Sequence, residues 1–196
     1  MKRGGWVGLS LIVGLGLAFV WGRALAGMAA TGILIDSVLY DGYALDDADE
    51  AVRLVNVSAA PVNVGGWRLS DGATTAYLPA GTAITPGAGL WLTGDAAAFA
   101  SQFGHVADLQ LDPWPGFANS GDEVLLADAA GAPVDTLVYL AGDTTRPGWS
   151  GAALAPYTVS GVFAAEGQIL YRRRDLVTGR PQDAAQTSGA GPTHLL

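Results

Sequence analysis

Apolar and polar residues alternate with a period near two along most of the chain, in short runs separated by turn clusters. Ile33-Leu34-Ile35-Asp36-Ser37-Val38-Leu39-Tyr40 reads as a first strand and Ala51 to Val57 as a second, with Val52 and Leu54 on one face against Arg53 on the other. Pro61 and Gly65-Gly66 break the chain before Trp67 to Ser70, and Asp71-Gly72 turns it into Ala76-Tyr77-Leu78. Pro86-Gly87 marks a turn ahead of Leu90 to Thr93. The period then changes: Ala96 to Phe103, with Asp95 placed to cap its start, Phe99 and Phe103 four apart and Gly104 at its end, is the one helix the pattern predicts. Asp108 to Leu111, Glu123 to Ala127 and Pro133 to Tyr139 follow as strands, the last two joined through a loop ending at Gly131. Short strands at turn spacings of about eight to twelve residues describe an all-β sandwich or a small barrel.

The first thirty residues follow another rule. Lys2 and Arg3 precede an uncharged apolar run from Trp6 to Trp21, and Ala24-Leu25-Ala26 supplies the small-x-small pattern that signal peptidase reads, so residues 1–26 are expected to be the helix of a signal peptide. The run is shorter than the roughly twenty residues a spanning anchor wants. The protein is therefore expected to be exported, secreted or held at the cell surface, with a membrane contact only through an uncleaved leader. Loss of Lys2, Arg3 and Arg23 takes the formal net charge from −8 to −11 and leaves no lysine. Such a surface repels polyanions, which excludes nucleic acid and favours a protein or cell-envelope partner.

Composition removes further classes. With no cysteine, disulfides and thiolate chemistry are excluded, and His105 and His194 are too few for a three-histidine metal site. Glycine (28) and proline (10) make up roughly a fifth of the chain, which disfavours long helices.

The residues then show a resemblance. Glu50 to Asn56, Val62 to Asp71 with Gly65-Gly66-Trp67, Pro79 to Leu92 and Asn119-Ser120-Gly121-Asp122-Glu123-Val124-Leu125-Leu126-Ala127-Asp128 with Asp135 to Tyr139 resemble, in order and spacing, the successive blocks of the lamin tail domain over residues 31–141. The resemblance implies an immunoglobulin-like β-sandwich of the exported bacterial type. Ala51 and Arg53 depart from it, standing where the family often has an aromatic residue and an acid. Within the blocks, Asn56 can cap backbone groups leaving a strand, Gly66 allows a close turn before a buried Trp67, and Asn119, Gly121 and Asp122 form a polar turn. These are read as structural residues, and Ser120 has no visible catalytic partner.

One loop offers site chemistry. Asp41, Asp46, Asp47, Asp49 and Glu50 supply hard oxygens, so Asp46, Asp47 and Asp49 are candidate calcium ligands, although their spacing fails the EF-hand pattern and the plainer reading is a solvated turn between two strands. Gly142 to Phe163 and Glu166 to Asp175 resemble a segment that follows the lamin tail domain in exported bacterial proteins, some of which continue into a phospholipase D-like domain, and residues 142–180 are expected to be a C-terminal extension packing on or trailing the sandwich. Gln168 to Tyr171 reads as an edge strand, Trp149 and Phe163 as packing over an open end of the sandwich, Arg172-Arg173-Arg174 as a solvated basic stretch or, on a sharper reading, a contact for anionic lipid or a partner's acidic face, and residues 181–196 as a disordered tail. A mature chain without lysine cannot perform phospholipase D chemistry alone. The expected function is thus non-catalytic and cofactor-free, an exported interaction module. The alternatives are the accessory domain of a phosphodiester hydrolase and a calcium-dependent adhesion domain.

Overall fold

A computed structural model describes residues 32–155, 166–172 and 188–191, together with Met1. Two sheets, antiparallel except for the parallel pairing of the strands Gly89–Thr93 and Leu109–Gln110, close on each other as an immunoglobulin-like β-sandwich. The first sheet is built from β1 (Ile33–Leu39), β2 (Ala51–Asn56), β7 (Gly89–Thr93), β8 (Leu109–Gln110), β11 (Ile169–Arg172) and β12 (Ser188–Gly191), in the order β12-β11-β1-β2-β7-β8. The second contains β4 (Arg68–Ser70), β5 (Thr75–Tyr77), β9 (Gly121–Ala127) and β10 (Pro133–Leu140), in the order β10-β9-β4-β5. A small ribbon pairs β3 (Val62–Asn63) with β6 (Ala83–Ile84). These two strands were not foreseen in the sequence, because two residues are too short to display an alternation.

Period-two patterning decides which side chains meet. Ile35, Val38, Val52, Leu54 and Leu92 of the first sheet and Leu69, Val124, Leu126 and Leu137 of the second form one core, with Trp67, Phe117 and Leu170 inside it. Trp67 is buried, and Gly66 before it adopts φ +78°, a left-handed turn that favours glycine. A second, smaller cluster lies on the outer face of the first sheet. There α1 (Ala96–Phe103) lays Phe99 on Leu39, Ala51 and Ile169, with Trp91 and Phe103 alongside. The helix starts and stops for the reasons the sequence suggests: Asp95 accepts from the Ala97 and Ala98 amides at 2.8 and 3.0 Å, and Gly104 closes it in the left-handed conformation.

The chain beyond β10 is built into the sandwich. Leu154 bridges the outer edge of β10, its amide donating to Val138 O and its carbonyl accepting from Leu140 N, while Thr136 Oγ1 donates to Pro147 O and Arg146 Nε to Glu123 Oε1. A strap from Asp143 to Leu154 thus crosses the outside of the second sheet, with Trp149 half-buried in it. β11 pairs with β1 on one side and β12 on the other, so it is an interior strand where the sequence suggested an edge. β12 falls inside the stretch expected as a tail. Arg172 corrects a further expectation, since it is 2% exposed and paired with Asp135 rather than solvated. The signal-peptide segment, Phe163, Arg173 and Arg174 lie outside the described residues. No helix among the described residues is long and apolar enough to cross a membrane.

Candidate functional site

The polar turn Asn119–Asp122 and the acidic β1–β2 loop are some seventy residues apart in the chain, and the sandwich brings them together at one end. Asn119 Nδ2 donates to Asp41 Oδ1 at 3.2 Å and to Asp47 Oδ2 at 3.0 Å, so a single amide bridges two carboxylates. Gly121 is required in this turn, because at φ +125° a β-carbon there would collide with the Ala141 amide. Asp122 organises the same turn, accepting from Ala118 N at 3.1 Å through Oδ2 and from Glu123 N at 2.8 Å through Oδ1.

The loop itself is held by its own acids. Asp47 Oδ1 accepts from Gly42 N at 3.1 Å, and the two oxygens of buried Asp49 accept from Tyr43 N at 3.1 Å and Ala44 N at 2.9 Å. Three consecutive amides are therefore fixed by carboxylates, and the chain between them passes through two left-handed residues, Asp46 at φ +57° and Asp47 at φ +55°. Of the candidate calcium ligands, Asp47 and Asp49 thus face backbone amides, while Asp46 stands exposed. Among the described residues no group of three or more carboxylates or imidazoles is placed to hold a metal ion.

Beneath the loop lies Glu50, buried, with Oε2 accepting from Trp114 Nε1 at 2.9 Å and from Phe117 N at 3.3 Å. Burial pushes its carboxyl up to about 8, Asp47 and Asp49 add to the rise, and the two donors oppose it. Burial likewise raises Asp41, with Asp47 and Glu166 adding to it, and raises Asp122 against the pull of the Ala118 and Glu123 amides. Tyr40 and Tyr139 stack below with ring centroids 4.2 Å apart, and Tyr139 donates its hydroxyl to Ala118 O at 2.9 Å. Burial moves the Tyr40 phenol up to about 12.

Two other polar centres are structural. Asn56, fully buried at the end of β2, donates to the carbonyls of Ala60 and Ile84 at 2.8 Å each and accepts from Ser58 N and Oγ at 2.8 and 2.7 Å, which gives work to both ends of the amide. At the sheet–sheet interface, Asp135 accepts from Ile35 N at 2.7 Å and pairs with Arg172, whose Nε donates to Ile35 O at 2.9 Å. One carboxylate–guanidinium pair thereby joins β10, β1 and β11. Burial raises the Asp135 carboxyl while Arg172 opposes the rise.

The residues with nucleophile or base chemistry do not converge. Ser120 is exposed at the acidic end, whereas His105 packs edge-on against Phe99 at 5.0 Å under the helix on the outer face of the first sheet. The arrangement can fix loops and display them, and among the described residues no hydrogen bond joins a hydroxyl to an imidazole. Sequence reasoning missed Glu50 as a buried acid and the Asp135–Arg172 pair, because each depends on partners more than thirty residues away.

A family model described as the Lamin Tail Domain matches residues 26–141. No curated protein matches the chain.

Proposed function

This chain belongs to the lamin tail domain family, and from that premise we propose that it is a non-catalytic, exported β-sandwich module that binds a protein or a cell-envelope surface through its loops and outer strands. The family's domain is a non-catalytic immunoglobulin-like one. What chiefly supports extending that to this protein is the fate of its polar side chains. Asp47, Asp49, Glu50, Asn56, Asn119 and Asp122 all bond within the fold, shaping loops. A sandwich whose polar side chains are committed to holding loops acts through the surface those loops present.

The test is a fractionation of source cells producing the full chain with a C-terminal tag, combined with an assay of the purified protein on bis(p-nitrophenyl) phosphate with and without calcium. The expected result is protein in the medium or in a protease-accessible envelope fraction, with no turnover and no calcium-dependent rise in Tm. Retention in the cytoplasm would overturn export. Turnover that copurifies with the chain would favour an enzyme, and a rise in Tm lost on changing Asp46, Asp47 and Asp49 to Asn would favour calcium-dependent adhesion.

A further inference from the structure

We propose that the β1–β2 loop, with Leu45 and Tyr43 at its tip, is the docking element of this module, and that its partner is a protein presenting an apolar pocket rimmed by lysine or arginine. The inference deepens the interaction-module reading and rests on it.

The apolar pair carries the contact. Leu45 is 86% exposed and Tyr43 52% exposed, two residues apart, and Leu45 is the most exposed large aliphatic side chain among the described residues of the sandwich. Neither is displayed by accident of a loose loop. Asp47 and Asp49 hold the amides of Gly42, Tyr43 and Ala44, Asn119 clamps Asp47 from the other sheet, and Gly167 N donates to Asp41 O at 2.6 Å. Gly167 also carries the Tyr43 ring, since a β-carbon at that position would collide with it. Tyr43 is thus seated on backbone while Leu45 projects beyond it. A loop fixed before binding loses little conformational entropy when it docks, so an apolar tip of modest area can serve as an anchor.

The charges decide which partner can approach. Asp41, Asp46, Asp47 and Glu166 lie about the tip, and among the described residues no arginine pairs with any of them: Arg53, Arg146 and Arg172 are engaged with Asp36, with Glu123 and Asp143, and with Asp135, and Arg68 donates to Ala129 O and lies over the Tyr77 ring. A partner burying Leu45 must bring its rim against that negative collar. Anionic lipid and nucleic acid are repelled, and a flat uncharged surface would leave carboxylates desolvated without a counter-charge. A protein pocket with basic groups at its rim satisfies both requirements.

The test uses the full chain as bait for a displayed library of small folded domains with a randomised surface pocket, with binding of the selected domains measured to the parent protein and to Leu45→Ser, Tyr43→Ser and Tyr77→Ser. Tyr77 is exposed on β5 in the second sheet and serves as the control. Expected are domains whose selected pockets are apolar with Lys or Arg at the rim, binding about tenfold or more weaker to Leu45→Ser, weaker to Tyr43→Ser, unchanged for Tyr77→Ser, and falling with added salt. Because Leu45 touches solvent, its variant should melt with the parent, which separates lost docking from lost folding. A library yielding no binder, binders indifferent to Leu45, or acidic binders overturns the loop. So does Leu45-dependent sedimentation with phosphatidylcholine or phosphatidylglycerol vesicles, or Leu45-dependent self-association of the chain. Export and the absence of turnover are decided by the fractionation and the phosphodiester assay, so the docking loop and the module reading fail independently.

Discussion

Glu50 shows what burial does to a single side chain. Its Oε2 serves the Trp114 indole and the Phe117 amide, and a proton on the other oxygen leaves both bonds intact while removing a charge from beneath Asp47 and Asp49. With a folded value near 8 against the ordinary 4.5, the native protein holds this proton over a range where the unfolded chain has released it. Its contribution to stability is therefore complete below about 4.5, is lost as pH rises toward 8, and changes little above that. Glu50→Gln keeps an acceptor without the charge. Thermal melts across a pH series should place the variant level with the parent near pH 4.5 and above it by roughly 5–10 °C near pH 8. Parallel curves would mean that Glu50 is not the group responsible. The residue was legible in the sequence only as one acid of five, since its environment comes from Trp114 and Phe117, which no local pattern links to it. Asn56 and Trp67 were easier to read, because a strand end and a glycine turn are local features.

At the scale of elements, the parts that sequence reasoning located are those whose physics is contained within a few residues. The helix is the clearest case: a capping acid, an i to i+4 aromatic pair and a terminal glycine specify Ala96–Phe103 without help from the rest of the chain. Asp95→Ala should remove the two cap bonds and lower stability by about 1 kcal/mol in urea unfolding, with faster hydrogen exchange at Ala97 and Ala98, whereas Asp95→Ser should retain most of the cap. Equal exchange in all three proteins would show that the helix is held by Phe99 alone. For the opposite reason, the ribbon of β3 and β6 escaped notice, and the strap across the second sheet was anticipated only as an extension packing on or trailing the sandwich, without its path. Two-residue strands carry no period, and the strap is defined by contacts of Arg146, Pro147 and Leu154 with β9 and β10 rather than by any pattern of its own.

Considered as a whole, the molecule is larger than the family match. The matched segment ends at residue 141, yet β11 lies beside β1 within the first sheet, Leu170 sits in the main core, and Arg172 supplies the partner of Asp135. A chain ended after Ala141 would turn β1 into an open edge, remove Leu170 from the core and leave a fully buried carboxylate without its cation. Loss of one member of such a pair typically costs about 3–5 kcal/mol, a large share of what a single domain has. Arg172→Met isolates the electrostatic part, since methionine keeps bulk but leaves Asp135 unpaired. The double variant Asp135→Asn with Arg172→Met retains an acceptor for the Ile35 amide and has no charge to strand. In guanidinium unfolding the shortened chain should show no cooperative transition or one at a much lower midpoint, Arg172→Met should be destabilised by about 3 kcal/mol, and the double variant should recover most of that loss. If the shortened chain unfolds like the full one, the strands beyond residue 141 are an appendage. If the single and double variants fall equally, the pair contributes through packing and not through charge.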